Sequence, residues 1–389
     1  MAIILFDGEE RIDLLPLTYT RPIAGIRIGI LTIKEKWEKY FEDGIGYLTE
    51  DYLQDKFTYI VGEDQTFIRG NVCPNKKLVT AIKNLGPNEG VYQNDKLISF
   101  RGSKEQFMSH KVGADNYTSE LLMVNYPWDI FSKNGDAIQQ DFDVLTDGRT
   151  SQFLSDTNRV LGPENVFIEE GAKVECAIIN ATNGPVYIGK NAEIMEGSIV
   201  RGPLALCEHA TLKLGTKIYG PTTVGPHSKV GGEVNNSVIL GYSNKGHDGF
   251  LGNSVLGEWC NIGADTNNSN LKNNYAEVRL WSYREERYVP TGLQFCGLIM
   301  GDHSKCGINT MFNTGTIVGV NSNIYGAGFP RNFVPSFAWG SAAGMKEYKT
   351  NKAYEVAEVV MKRRGLSFDE KERAILDTVF ELSSKHRRF

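Results

Sequence analysis

From Ile188 onward the chain places an aliphatic side chain at every sixth position: Ile188, Ile194, Val200, Leu206, Leu212, Ile218, Val224 and Val230. Four residues after most of these stands a small one, at Ala192, Ser198, Ala210, Thr216, Thr222 and Ser228. Glycine often follows the aliphatic directly, as at Gly189 and Gly225. The step reappears at Phe250, Leu256 and Ile262, and again at Met300, Cys306, Phe312, Val318 and Ile324. An interval of six fits neither the 3.6 of an α-helix nor the 2 of a half-buried strand. It predicts a hexapeptide β-helix, in which each short strand turns one aliphatic inward and a glycine or small residue makes the corner. Three faces close a coil, and stacked coils line up the aliphatics as one interior column.

Two stretches leave the pattern. Residues 231–249 lose strict register, which predicts a loop or an offset coil. Residues 272–298 carry charged and aromatic material and read as a long excursion projecting from the solenoid. Upstream, residues 1–150 predict an α/β domain: IILF and FTYIVG (57–62) as strands, and YPWDIF followed by GDAIQQDF as a turn and short helix. Downstream, 344–364 and 368–384 have helical composition, broken at Gly365, with Ser367 before FDEKE as an N-cap. The expected organisation is a shortened α/β domain over 1–150, a left-handed β-helix over 160–340, and a helical cap over 341–389 that covers the end of the coil.

Composition adds mostly exclusions. A net charge of −5 over 389 residues gives no electrostatic case for nucleic acid. The basic tail KHRRF at 385–389 reads as a solvated end. No apolar run approaches the roughly 20 residues of a membrane span, and the apolar N-terminus lacks the flanks of a signal peptide. Six scattered cysteines without CxxC spacing argue against a zinc site and a disulfide framework. The expected compartment is the cytoplasm.

A filled prism has little pocket of its own, so chemistry is expected where copies meet, in a symmetric oligomer. His247 stands where the pattern breaks, in the Gly-flanked segment NKGHDGFLG. An imidazole can take the proton of an amine or hydroxyl attacking a thioester. Asn261, Asn268 and Asn270 could orient a sugar and stabilise an oxyanion. Taken alone, the histidine reads more readily as a loop residue and the asparagines as a stacked turn ladder.

The stretch HDGFLGNSVLGEWCNIGADTNNSN resembles the acetyltransferase segment of the bifunctional glucosamine-1-phosphate acetyltransferase/N-acetylglucosamine-1-phosphate uridyltransferase family. That family has a histidine, a YLG step, an N-I-G-A-G-T block and an Asn-Tyr pair. The matching positions are His247, Phe250-Leu251-Gly252, Asn261 to Thr266, and Asn270-Leu271; MGDHSKCGINTMFNTGTIVG at 300–319 matches in spacing. The resemblance implies His247 as general base on the sugar amine. It implies Asn261 and Asn270 on the substrate, and the Gly263-Ala264 backbone on acetyl-CoA. Lys217, Lys229 and Lys245 are candidates for holding the sugar phosphate. Phe250 and Leu271 replace the family's tyrosines and remove two hydroxyls.

The N-terminus is similar, more distantly, to sugar nucleotidyltransferases, which open on a strand followed by L-A-A-G-x-G-T-R and P-K. Here IILFDGEERIDLLPLTYTRP keeps the strand, Gly8, Arg11 and Pro16, lacks the second glycine, and has Leu17 where the lysine would stand. Arg21 or Arg27 could supply that charge; a plain βα turn is the competing reading. Nucleotidyl transfer would also need carboxylates for Mg²⁺. Asp7, Asp129, Asp141 and Asp143 are available, and spacing does not choose among them. The expectation is a homotrimeric transferase of sugar-nucleotide metabolism, with a UDP-N-acetylglucosamine-type product. It would use acetyl-CoA for acetyl transfer to an amino sugar-1-phosphate, or an NTP and Mg²⁺ for nucleotidyl transfer to a sugar-1-phosphate, or both. Two alternatives stay open: a nucleotidyltransferase with the β-helix as scaffold, and a non-catalytic sugar-nucleotide-binding module.

Overall fold

The computed structural model of the protein describes residues 2–111 and 113–389. Its N-terminal sheet is built on β1 (Ala2–Phe6), with β2 (Ile45–Leu48), β3 (Gln65–Arg69), β4 (Gly90–Gln93) and β5 (Lys96–Gly102) in the order β2-β1-β3-β5-β4. β1 runs parallel to β2 and β3, while β5 is antiparallel to β3 and β4. The run IILF is apolar at successive positions because both faces of β1 are covered. Ile3 and Leu5 join the main core, and Ile4 and Phe6 pack with Phe67, Leu97 and Phe100 on the other side. The strand expected over 57–62 lies instead at 65–69. The 57–60 stretch runs past the edge of β2, where the Tyr47 N–H donates to the Thr58 carbonyl at 3.0 Å.

Residues 159–347 form a three-sided parallel β-solenoid, as the six-residue step requires. One face stacks nine strands, from Val166–Ile168 to Phe333–Val334. The second stacks ten, from Lys173–Val174 to a closing antiparallel hairpin, Ala338–Ser341 with Gly344–Glu347. The third stacks six, from Arg159–Leu161 to Phe250–Gly252, and is prolonged by the pair Asn267–Asn268 and Met311–Phe312. All eight aliphatics of the unbroken run are 0–1% exposed and share one interior cluster.

Two details of the pattern are corrected. Phe250 is half-buried on the outside, and Leu251 fills the column in its place. The glycine pair Gly231-Gly232 shortens the corner before it, so the inward positions pass from Val230 to Val234 and the strict count slips. The glycines after the aliphatics are required by close approach rather than by a corner. A Cβ on Gly189 would lie 2.7 Å from the backbone of Cys207 on the next coil.

The nine-stranded face is buried on its outside too. Phe167, Tyr187 and Ala205 pack against Ile30 and Ile138, while Val238, Val255, Ile299 and Ile317 join the core of the N-terminal domain. Arg21 reaches from that domain into the solenoid, giving Asp302 two hydrogen bonds of 3.1 and 2.6 Å, with Glu258 at 3.1 Å. Thr20 donates to the same Asp302 carboxylate at 2.6 Å. Burial alone would raise the Asp302 carboxyl, but the Arg21 charge and these hydrogen bonds hold it below the ordinary carboxylate value.

The excursion at 272–298 does not project. Its strands Arg279–Ser282 and Arg287–Pro290 pair as a hairpin that folds back onto the N-terminal domain. Val278, Leu280, Tyr283 and Cys296 lie in the shared core, and Arg284 grips Asp13 at 2.7 and 2.8 Å. The C-terminal helices, Thr350–Lys362 and Glu370–Leu382, lie along the solenoid rather than across its end. The first helix is followed by Arg364, which contacts Asn244 at 3.5 Å; the second touches the domain through Lys371 and the Asp55 carbonyl at 3.0 Å. The tail is not a solvated end either. Arg387 lies over the Phe380 ring at 3.9 Å, and His386 meets Tyr283 and Phe333 edge-on. Among the described residues no helix is long and apolar enough to cross a membrane.

Candidate functional site

The corner between the ten-stranded face and the third face carries His247. Its segment runs from Asn244–Lys245 into Phe250–Gly252, and the His247 side chain is exposed. The next coil follows 17 residues later. Asn244 pairs with Asn261, and the Asp265 N–H donates to the Asp248 carbonyl at 3.0 Å. That register stands Ala264 directly over His247. Gly263 is obligatory here, because a Cβ would meet the backbone of Gly307 and the Ile308 nitrogen at 2.5 Å. The Gly263 N–H is spent on Cys306 and the Ala264 carbonyl on Asn309, at 3.1 and 2.8 Å. The Ala264 N–H takes no backbone partner among the described residues. One exposed imidazole and one amide without a backbone partner therefore share a corner.

The other expected residues divide. Asn261 is exposed on the ten-stranded face, around the corner from His247. Asn270 sits at the far end of the third face and donates to Asn253 Oδ1 at 2.8 Å. Asn268 points inward, accepting from the Gly252 N–H at 2.9 Å, and so belongs to the coil rather than to a substrate. Lys217 and Lys229 are exposed on earlier coils. Lys245 is a correction. Its register partner across the ladder is the inward Val230, and it is 2% exposed within the prism. Its ammonium donates to the His247 carbonyl at 2.5 Å, and desolvation lowers its pKa to about 8. A side chain so placed shapes the His247 loop from beneath and cannot hold a phosphate outside.

The loop after β1 is closed by its own charges. Arg11 is buried and donates to the Arg21 carbonyl at 3.1 Å and to the Tyr52 hydroxyl at 2.8 Å, with Asp7 at 3.3 Å. Glu10 is buried between Arg69 at 2.7 Å and Lys96 at 2.9 Å. Gly8 sits under the same Arg69 and Glu10 side chains. Arg27 is spent on the Leu240 carbonyl and Glu35. Arg11 and Arg21 thus have their side-chain hydrogen bonds made within the chain, while Gly8 lies beneath Arg69 and Glu10 and accepts from the Arg11 N–H at 3.1 Å.

The acidic candidates are equally committed. Asp7 accepts from the Ile23 N–H and Thr49, Asp129 caps a helix through the Asn125 N–H, and Asp143 accepts from Gln139. Asp141 is buried against Lys36 at 2.5 Å. No three His, Cys, Asp or Glu side chains converge as a metal site among the described residues.

A third place was not anticipated. Between the N-terminal domain, the solenoid and the last helix lies a cavity of about 360 Å³, reached by Tyr47, Glu258, Trp259 and His303. The docking of the two parts, though not the cavity, had a legible signal: strands of the docked face carry apolar or small residues outward (Tyr187, Ala205, Val255, Ile299), where other faces carry Glu193, Lys217 and Lys229.

Residues 3–150 match the sugar nucleotidyl transferase family. That segment contains the closed loop, so the family match and the spent side chains fall on the same stretch. The chain is 28% identical over 263 residues to the bifunctional sugar-1-phosphate nucleotidylyltransferase/acetyltransferase of Sulfurisphaera tokodaii, covering 65% of this chain and 59% of that protein. It is 31% identical over 122 residues to the bifunctional protein GlmU of Methanocaldococcus jannaschii, covering 31% of this chain and 26% of that protein. The chain therefore spans less than two thirds of these relatives. A hexapeptide transferase family protein from Anaplasma phagocytophilum aligns over 59% of this chain and 92% of its own, at 17% identity and a TM-score of 0.28.

Proposed function

We propose that the protein transfers an acetyl group from acetyl-CoA to the amine of an amino sugar-1-phosphate, with His247 as general base. The observation that supports this reading is the pairing, at one corner, of the exposed His247 imidazole with the unspent Ala264 N–H one coil above it. His247 takes the proton as the amine attacks the thioester carbonyl. The Ala264 N–H faces the oxygen on which charge develops, and the departing thiolate recovers the proton from the imidazolium. The bond made is the amide C–N and the bond broken is the thioester C–S.

The corner is open in a single chain, with Asn261 and Asn270 on different edges of it. We take the site to be completed by a second copy in a homotrimer, the copies meeting at exposed positions such as Ile178 and Ile199 of the third face. A cytoplasmic setting and a UDP-N-acetylglucosamine-type pathway product belong to the same reading. Nucleotidyl transfer is the second reading, favoured by the family match of residues 3–150, and it requires the β1 loop to release Arg11 or Arg21.

The test is acetyl-CoA-dependent thiol release with glucosamine-1-phosphate. Loss of that release in His247→Ala, in a protein of unchanged melting temperature, supports acyl transfer. Equal rates in both proteins reject His247 as the base. Pyrophosphate release from UTP and N-acetylglucosamine-1-phosphate reports the second reading separately.

A further inference from the structure

At the C-terminal end of the solenoid lies a cavity of about 410 Å³, within the size range of small-molecule sites. Four separate parts of the chain wall it. The hairpin Arg279–Ser282 and Arg287–Pro290 supplies Trp281 and, from its turn, Glu286, while the last strand of the nine-stranded face supplies Phe333. The turn of the closing hairpin contributes Ser341 to Met345, and the basic tail contributes Lys385, His386 and Arg388. Trp281 and Phe333 stack at 4.4 Å and 12°, and His386 stands edge-on to Phe333 at 5.9 Å. Pro335, Met345 and Phe389 extend this apolar wall.

The free charge on the wall is positive. Its cations are Arg331, Lys385 and Arg388, and Glu286 is its single side-chain carboxylate. Lys385 holds Glu286 at 2.6 Å, so these two charges are spent on each other. The arginines are not spent. Both are exposed, and neither forms an ion pair with any carboxylate among the described residues. Arg331 makes no hydrogen bond there either, and Arg388 uses only its Nε, on the Lys385 carbonyl at 3.2 Å. One whole guanidinium and the two terminal nitrogens of another are left open. Burial first, and then the charges of Lys385 and Arg388, lower the pKa of His386 against the opposing Glu286. The imidazole is therefore neutral at pH 7, and the arginines carry the excess charge.

An open guanidinium suits a phosphate or a carboxylate, which it meets with two parallel hydrogen bonds. An ammonium or a metal cation finds no free carboxylate side chain on this wall. The apolar part sets the rest of the ligand. Trp281 and Phe333 are each partly exposed, and a bare inorganic anion would leave them uncovered, whereas a flat ring buries them. We propose that this cavity binds a ring compound carrying one anionic group, phosphate or carboxylate, with the anion on Arg331 and Arg388 and the ring against Trp281 and Phe333. The site uses neither His247 nor the loop after β1, and stands whether or not either transfer reaction occurs.

Calorimetric titration of the full chain tests it, with AMP and indole-3-carboxylate as ring anions, adenosine and indole as their neutral counterparts, and inorganic phosphate. At least one ring anion is expected to saturate one site per chain, and the tighter of the two identifies the anionic group. Its neutral counterpart and inorganic phosphate should each bind at least tenfold more weakly. Arg331→Glu and Arg388→Glu, both at exposed positions, should each weaken the ring anion at least tenfold without moving the melting temperature of the free protein. Equal affinity for the neutral counterpart or for inorganic phosphate, undiminished binding in both arginine variants, or no saturation by either ring anion at millimolar concentration overturns the proposal. Binding should be unchanged in His247→Ala, so failure of this reading and failure of acyl transfer are distinguishable.

Discussion

The loop after β1 and the corner at His247 both resemble known transfer sites, the loop more distantly, and the structure treats them oppositely. In the loop, Gly8, Arg11 and Arg21 are of the expected types, but each charged group has found a partner in the same chain: Tyr52, the Arg21 carbonyl, Asp302. At the corner, the imidazole is exposed and the Ala264 N–H unspent. The difference teaches that a motif's letters are a weaker guide than its unsatisfied valences. A preorganised site must keep its donors free for the reacting groups, whereas a structural loop satisfies them internally.

The strongest way to break this contrast is at the corner. His247→Ala should lower kcat for acetyl transfer by about 10²–10⁴, the range that a positioned general base supplies. Because the side chain is exposed, circular dichroism and the melting temperature should stay as in the wild type. An unaltered kcat would leave the corner with no more claim to chemistry than the loop.

The loop makes the complementary prediction in stability. Arg21→Ala removes the partner of Asp302, which is 3% exposed, and strands a buried carboxylate between two domains. Breaking such a pair costs about 3–5 kcal/mol, read by urea denaturation. A loss below 1 kcal/mol would mean that Arg21 is free to leave and that the loop opens readily. The nucleotidyl reading would then gain.

Smaller is the cost of crowding one coil on the next. Gly189→Ala places a methyl 2.7 Å from the Cys207 backbone, far from both candidate sites, and overpacking of this kind costs about 1–3 kcal/mol. Acetyl transfer should survive it. A neutral result would show that the coils slide apart, and that the stacking of Ala264 over His247 is looser than the register implies.

How much of this was legible follows from what each pattern constrains. The step of six reports inward positions, because a wrong side chain there would sit inside a filled prism. Val200, Leu206 and Leu212 are accordingly buried. Phe250 failed because the passage from Leu251 to Leu256 takes five residues, so a step of six counted back from Leu256 lands one position short of the inward side chain. The docked face was legible in principle from Tyr187, Ala205, Val255 and Ile299, yet reading it requires comparing outward positions among three faces. Residues such as Arg21, Arg284 and His303 could not be placed, since their partners Asp302, Asp13 and Trp259 lie 281, 271 and 44 residues away or on the neighbouring coil. Long-range pairing of polar groups has no period.

Lys245 offers the finest test, because it stands in the aliphatic column directly beneath the His247 loop. A lysine whose pKa falls to about 8 in the folded protein, against about 10.4 in the unfolded chain, binds fewer protons when folded. Stability therefore rises with pH between about 8 and 10.4, and the penalty of the buried charge is fully present below 8. Its ammonium reaches a carbonyl at the corner, so part of that penalty is already relieved. Lys245→Met should raise stability at pH 7 by about 1 kcal/mol, as apolar replacement of a buried charge does, and should flatten the slope above pH 8. If the same variant keeps full acetyl transfer, the lysine is a tolerated intrusion in the column. If it becomes more stable and loses kcat, Lys245 is a positioning residue for His247. The column then carries a stability cost for the sake of the corner, a cost of the kind the buried ion pairs at the β1 loop do not impose on any open site.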